Sequence, residues 1–141
     1  MYLPDINVWL ALAFDVHVHH KRALEWFDSL PPRSCGFCRL TKQGFLRLAS
    51  NPAVLNESAV TLDHAWSCYD ALLSDDRVFV LAEPAGLEAS WRRLTQRRSY
   101  SHRVWSDAYL VAFAEKASLQ VVTFDCGIRD YAEAQAVVLD G

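Results

Sequence analysis

Five short apolar segments alternate along this chain with longer segments of helical pattern, and this alternation limits the available folds more than any other feature. Strands are predicted over 2–4, 35–38, 77–82, 119–124 and 136–140. Helices are predicted over 6–14, 16–29, 40–50, 62–73, 85–97 and 107–117. Ser106 is expected to be the N-cap of the last helix. Strands that alternate with helices form a mostly parallel sheet covered on both faces, so we predict an α/β fold.

Length and composition indicate one folded domain. The 141 residues suit a single core, and no repeat or linker divides them. Apolar residues make up 52% and charged residues 22%, which is typical of a folded chain. No apolar stretch reaches the ~18 residues of a membrane span, and the N-terminus lacks a signal-peptide pattern. We therefore predict a cytoplasmic protein with no membrane partner and with reduced cysteines.

Three aspartates stand where a parallel sheet places its functional crevice, outside the carboxyl ends of the strands. Asp5 follows the first strand, Asp125 follows "VVTF", and Asp107 opens a helix after a loop. Converging carboxylates repel one another, and Mg²⁺ or Mn²⁺ is the usual compensating charge because hard cations prefer oxygen ligands. A metal held in this way activates water and stabilises displacement at phosphorus.

Each of these polar residues also has a structural alternative. Asp5 could cap the following helix, Asp107 is favoured at a helix start by the helix dipole, and Asp125 is a common turn residue. Asn7 and Thr123 fit two roles equally well. They could orient the neighbouring carboxylates, or they could satisfy backbone groups.

Basic residues are concentrated although the net charge is −3. Residues 92–103 contain no acid and five arginines, which are Arg92, Arg93, Arg97, Arg98 and Arg103. This strip could hold a phosphate backbone or could be a solvated surface. Arg39, Gln43 and Arg47 are spaced by four residues and share one helix face. If that face lines the crevice, it could bind phosphate or the carboxylates of a partner.

Other motifs favour plain structural roles. "CGFC" has the spacing of half a zinc site, but Cys68 and Cys126 do not supply a second pair, so buried strand cysteines are expected. "HVHH" (17–20) is interpreted as a solvated helix start. Most tryptophans should be in the core, while Trp9, Trp66 and Trp105 could instead form a partner-binding surface.

Four segments resemble one family. "LPDINVWLAL", "SDAYLVAFA" and "VTFDCGI" are similar to PIN-domain nucleases, in particular the VapC-like toxins, and "TKQGFLRLASNPAV" is similar to a helix of one VapC subgroup. The resemblance covers residues 3–139 and implies one PIN-like domain over 1–141, a three-layer α/β/α sandwich. It implies a Mg²⁺- or Mn²⁺-dependent endoribonuclease, a homodimer, and a VapB-like antitoxin that blocks the site.

The resemblance also assigns residues. It implies that Asp5, Asp107 and Asp125 are both catalytic and metal-binding, with a supporting set behind them and a set that contacts RNA or antitoxin. The supporting residues are Asn7, Gln43 and Thr123. The contact residues are Arg39, Arg47, Arg98 and Arg103.

One departure from the family pattern leaves an alternative open. Many PIN domains carry a glutamate at the position matched by Gln43, and glutamine offers no negative charge. Gly127 also stands where a further acid is usual. A PIN domain that binds RNA or protein without cutting is therefore the second hypothesis.

Two other enzyme classes fit less well. An aspartyl-phosphate phosphatase would need a second aspartate where Asn7 stands, and a lysine near Asp125. A receiver domain would need paired acids at the first strand.

Overall fold

A parallel sheet of five strands forms the centre of the computed structural model, which describes residues 1–131 and 134–140. Along the sheet the order is β3-β2-β1-β4-β5, and every neighbouring pair is parallel. The strand bounds are β1 (Tyr2–Pro4), β2 (Cys35–Phe37), β3 (Val78–Val80), β4 (Gln120–Thr123) and β5 (Ala136–Val138). The α/β fold with a parallel sheet is confirmed, and the strand order reverses between β1 and β4.

Seven α-helices accompany the sheet in the described ranges. They are α1 (Ile6–Ala13), α2 (His20–Asp28), α3 (Arg39–Ala49), α4 (Pro52–Leu55), α5 (Leu62–Leu73), α6 (Leu87–Thr95) and α7 (Val104–Ala117). Short 3-10 turns cover Asn56–Ser58 and Cys126–Asp130. Within residues 1–131 and 134–140, every helix is too short or too polar to cross a bilayer.

Two predicted helix starts are wrong. The helix predicted from residue 16 begins at His20, because His17 and its neighbours form turns in which the amide of His20 donates to the carbonyl of His17. The last helix begins at Val104, so Ser106 lies inside its first turn and is not the cap. The indole N–H of Trp91 donates to the carbonyl of Trp105 and anchors that first turn.

Helices cover both faces of the sheet, which gives the three layers. Val122 packs among residues of α1, α2, α3 and α5, whereas its neighbour Val121 packs with α6 and α7 on the opposite face. Trp9 is fully buried and stacks on Phe37 at 3.8 Å, so its suggested place on a partner surface is wrong. Trp66 remains about half exposed.

Proline controls how the central strand pairs. The amide of Tyr2 donates towards β2, to the carbonyl of Ser34, and the amide of Asp5 donates towards β4, to Val122. Because amides alternate between the two sides of a strand, Pro4 lacks its donor on the β2 side. Pro4 is opposite Val122 in the β1–β4 ladder. This register places the next residues of the two strands, Asp5 and Thr123, side by side.

We predict that Gly36→Ala lowers the free energy of unfolding by about 1–3 kcal/mol, the usual cost of overpacking. A Cβ at Gly36 would lie 2.8 Å from the carbonyl oxygen of Phe79, and that backbone is fixed in the sheet. Gly44→Ala is the matched control. Its Cβ would lie 2.1 Å from Cδ1 and 2.7 Å from Cγ1 of Ile6, so the Ile6 side chain must shift. Within the part of the chain that the structure describes, no backbone atom is in the way, and alanine favours a helix by ~1 kcal/mol.

Urea unfolding of both variants tests this prediction. The larger loss should belong to Gly36→Ala. A loss well below about 1 kcal/mol in Gly36→Ala would show that β2 and β3 can separate slightly at little cost.

Candidate active site

A pocket opens at the carboxyl ends of β1 and β4, where the strand order reverses. It brings Asp5, Asp107 and Asp125 to one place although they are far apart in the sequence. Asn7 and Thr123 also line it. The remaining lining residues are Ile6, Leu40, Leu48, Ser106, Leu110, Val121 and Ile128.

Asp5 both caps a helix and lines the pocket. One oxygen of its carboxylate accepts the amide N–H of Val8 at 3.0 Å, so Asp5 is the N-cap of α1. The other oxygen accepts a hydrogen bond from the hydroxyl of Thr123. The carboxylate that precedes this apolar helix is therefore satisfied on both oxygens.

Thr123 joins the two strand ends. Its hydroxyl donates to Asp5 and accepts the amide N–H of Asp125 at 3.0 Å, and its side chain is buried. The carboxylate of Asp125 then accepts the amide of Gly127 at 2.8 Å and caps the turn that follows. These are the contacts expected of a residue that orients both aspartates.

Asp107 enters the pocket from the first turn of α7. Burial raises the pKa of its carboxyl, and the nearby charge of Asp125 raises it further, while Arg103 lowers it. The pKa of Asp5 is raised to about 6, mainly by burial. Hydrogen bonds from Thr123 and from the backbone oppose that shift, and Asp107 adds to it. The pocket therefore concentrates negative charge at an energetic cost.

The donor chemistry of the pocket fits a hard divalent cation, because its polar side chains present oxygen atoms. In residues 1–131 and 134–140, however, no three His, Cys, Asp or Glu side chains are close enough together to hold a metal ion as they stand. The three aspartates therefore line one pocket, but in this arrangement they are not close enough together to coordinate one metal ion.

The predicted supporting and contact residues on α3 lie outside the pocket lining. Gln43 is exposed, and α3 presents Leu40 and Leu48 to the pocket instead. A helix turns by roughly 100° per residue, so Gln43 points to one side of the face that these leucines share. Arg39 and Arg47 are also exposed. No acidic side chain of α3 reaches the pocket, because its sequence contains none.

Arg98 and Arg103 are exposed in the segment before α7. The sequence interpretation missed Ser106 and Ile128 as lining residues. The sequence predicts a helix cap at Ser106, and the turn that places Ile128 three residues after Asp125 has no characteristic sequence pattern.

The two cysteines of "CGFC" have structural roles. Cys35 and Cys38 are buried and free, and burial raises the pKa of both thiols. The amide of Cys38 donates to the hydroxyl of Thr41 at the start of α3.

Comparisons with known proteins agree on one family. The family model described as PIN domain matches residues 2–134. Ribonuclease VapC41 of Mycobacterium tuberculosis is 44% identical over 136 residues, covering 93% of each chain. Ribonuclease VapC38 of the same species is 33% identical over 141 residues, covering 94% of this chain and 91% of the relative.

Solved structures share the fold at lower identity. Mycobacterium tuberculosis VapC20, a toxin that cleaves the sarcin–ricin loop, superposes with a TM-score of 0.67 at 21% identity, covering 92% of this chain and 94% of that one. VapBC2 from Rickettsia felis, bound to a promoter DNA fragment, gives 0.69 at 12% identity, covering 99% and 98%.

We predict that Asp5→Asn stabilises the metal-free protein at neutral pH. Because the folded-state pKa of about 6 exceeds the ordinary 3.8, the folded protein binds the proton more tightly, and its stability falls as pH rises from about 4 to 6. The loss is on the order of 1–3 kcal/mol. Asparagine keeps an acceptor for the cap but does not ionise.

Urea unfolding in EDTA between pH 4 and 7.5 measures the effect. The stability of the variant should exceed that of wild type at pH 7.5, and the two should converge towards pH 4. Asp63→Asn is the control with the opposite sign, since hydrogen bonds from Thr61 and the backbone lower the pKa of that exposed carboxyl. Identical pH profiles for Asp5→Asn and wild type would contradict the prediction.

Proposed function

The chain belongs to the PIN domain family, and from that membership we propose that it is the endoribonuclease toxin of a toxin–antitoxin pair. The observation that carries this proposal is the pocket at the strand-order reversal, where Asp5, Asp107 and Asp125 meet. The ribonuclease names of the relatives support RNA as the substrate.

We propose that Asp5, Asp107 and Asp125 hold Mg²⁺ or Mn²⁺ in this pocket. Oxygen donors and unfavourable negative charge both support a divalent cation, which would relieve the repulsion between Asp107 and Asp125. When bound, such a cation supplies Lewis-acid chemistry for phosphodiester hydrolysis.

The chain's own residues prepare the site. The amide of Val8 and the hydroxyl of Thr123 fix the carboxylate of Asp5, and the turn after β4 fixes that of Asp125. Fixed side chains lose little entropy when a substrate binds. Arg98 and Arg103 supply exposed positive charge near the start of α7, where it can attract a phosphate backbone.

Partner binding is proposed for the helices after β2. Exposed apolar side chains in this region include Val54, Leu62 and Trp66, which are 43%, 75% and 49% exposed. Surfaces rich in large apolar groups mark protein interaction sites. We propose that this surface serves a homodimer contact and that a VapB-like antitoxin covers the aspartate pocket.

A second candidate function is supported by α3. The helix gives the pocket Leu40 and Leu48 and no carboxylate, so the metal would be held by three acids. A PIN domain that binds RNA without cutting it is the function that this weaker ligand set favours.

An RNA cleavage assay with and without Mn²⁺ or Mg²⁺ separates the two functions. We predict cleavage of structured RNA that EDTA abolishes. Asp107→Asn and Asp125→Asn should each lower the rate by about a hundredfold or more, which corresponds to roughly 2.7 kcal/mol of lost transition-state stabilisation. The exposed Asp63→Asn should cleave like wild type. Retention of RNA in a gel shift without cleavage, with or without metal, would favour the binding module.

We predict a homodimer at micromolar concentration. Leu62→Glu should shift it towards monomer in sedimentation velocity, because a charge would be buried in an apolar contact. Val80→Glu, at an exposed position outside helices α3 to α5, should leave the dimer intact. A monomeric wild type would remove this proposal without affecting the nuclease.

A further inference from the structure

A second cleft lies beside the carboxylate pocket, between residues 95–102 and the first turn of α7. Two exposed aromatic rings line it, Tyr100, which is fully exposed, and Trp105, which is 58% exposed. Arg97 and His102 line it as well. Among the described residues that line this cleft, none is acidic. We refer to these four residues and the space between them as the aromatic–basic cleft.

The exposed ring of Trp105 is held in place. It meets Trp91 edge to face, with ring centroids 6.2 Å apart and an interplanar angle of 80°. Trp91 in turn packs on Tyr109 at 5.4 Å and 87°, and its indole N–H donates to the carbonyl of Trp105 at 2.9 Å. Because these contacts already hold the exposed ring in one orientation, it would lose little side-chain entropy when a ligand binds.

Three of the arginines near the cleft already contact other side chains. Arg92 forms an ion pair with Glu88 at 2.6 Å, and Arg93 pairs with Glu115 at 2.9 Å. Arg97 lies over the ring of Tyr131 at 4.8 Å.

Two further arginines remain at this surface. In the part of the chain that the structure describes, Arg98 makes no hydrogen bond or ion pair. Arg103 is exposed beside Asp107. The surface therefore suits a polyanion better than an apolar protein partner.

The cleft and the carboxylate pocket share the first turn of α7. Trp105 is followed directly by Ser106 and then by Asp107, and both of these line the carboxylate pocket. Residues two apart leave a helix in different directions, so a strand with a phosphate at the aspartates would pass around this turn to place a neighbouring base in the cleft.

We propose that Trp105, assisted by Tyr100, is the stacking platform for an unpaired base next to the phosphate that is cut. Single-stranded nucleic acid is bound by the combination found here, exposed aromatic faces within a positively charged groove. A paired base cannot leave its stack without cost, so the platform selects substrates that are single-stranded or looped at this position. The identification of the polyanion as RNA rests on the proposed function.

Fluorescence anisotropy in EDTA, where binding is separated from cleavage, tests the proposal. The probe is a labelled twelve-nucleotide single-stranded RNA of mixed sequence. Trp105→Ala should weaken binding by about 5- to 150-fold, the range that 1–3 kcal/mol per stacked base corresponds to. Trp105→Phe, which keeps an aromatic face, should recover most of the affinity. Val80→Ala, at an apolar residue of similar exposure on β3, should bind like wild type.

Two further measurements distinguish stacking from other roles. Trp105→Ala should leave the salt dependence of binding unchanged, whereas Arg98→Gln should reduce its slope by about one. An RNA of the same length with abasic sites should bind equally to wild type and Trp105→Ala, because there is no base to stack. Tyr100→Ala adds a variant that cannot disturb packing, and it should also weaken binding to the intact RNA.

Wild-type affinity in Trp105→Ala would overturn the proposal, and so would an equal loss for intact and abasic RNA. Weaker binding of a partner protein with unchanged RNA binding would assign the cleft to a protein instead. The proposed nuclease activity is tested separately, by cleavage in Mn²⁺. If the wild type cuts RNA and Trp105→Ala binds RNA normally, the stacking proposal is refuted and the proposed nuclease activity is supported.

Discussion

The hydroxyl of Thr123 connects the end of β1 to the turn after β4, and the pocket depends on this connection. Its position follows from the parallel register, in which Pro4 is opposite Val122. A shift of one residue would turn the hydroxyl to the other face of the sheet and leave Asp5 without its second partner. The arrangement of the aspartates is therefore a property of strand pairing as much as of the aspartates themselves.

The same connection explains how a charged group is tolerated so close to the core. Asp5 borders helix α1, whose middle residues are buried, and the burial of Asp5 itself raises the pKa of its carboxyl. Two hydrogen bonds offset part of that cost, one from the start of α1 and one from β4. The pKa of Asp107 is also raised, by burial and by the charge of Asp125, so a second carboxylate of the pocket carries an electrostatic cost.

Sequence patterns predicted those parts of the molecule whose structure depends on residues close together in the sequence. The alternation of segments predicted the strands and most helices. Asp5 and Asp125 were predicted from strand ends, because parallel strands finish at one edge of a sheet, and Asp107 was predicted from a helix start. The sequence could not predict which side chains of α3 face the pocket. The spacing of Arg39, Gln43 and Arg47 shows that they share one helix face, but it does not show where that face points. The start of α7 was misplaced for a similar reason. Its first turn is anchored by Trp91 from a different helix, and such a contact leaves no local signature.

The missing amide hydrogen of Pro4 leaves β1 paired unequally with its two neighbouring strands. In residues 1–131 and 134–140, β1 is in register with β2 at one pair, Tyr2 with Cys35, and with β4 at three. Asp5 and Thr123 thus lie at the ends of the two strands with the more extensive pairing. Side chains join β2 and α3 to this part of the molecule, among them Trp9 stacked on Phe37. The aspartate side of the pocket therefore rests on backbone hydrogen bonds, whereas the side formed by Leu40 and Leu48 rests on side-chain packing. Core substitutions can alter the second side while the register of Asp5 and Thr123 stays as it is.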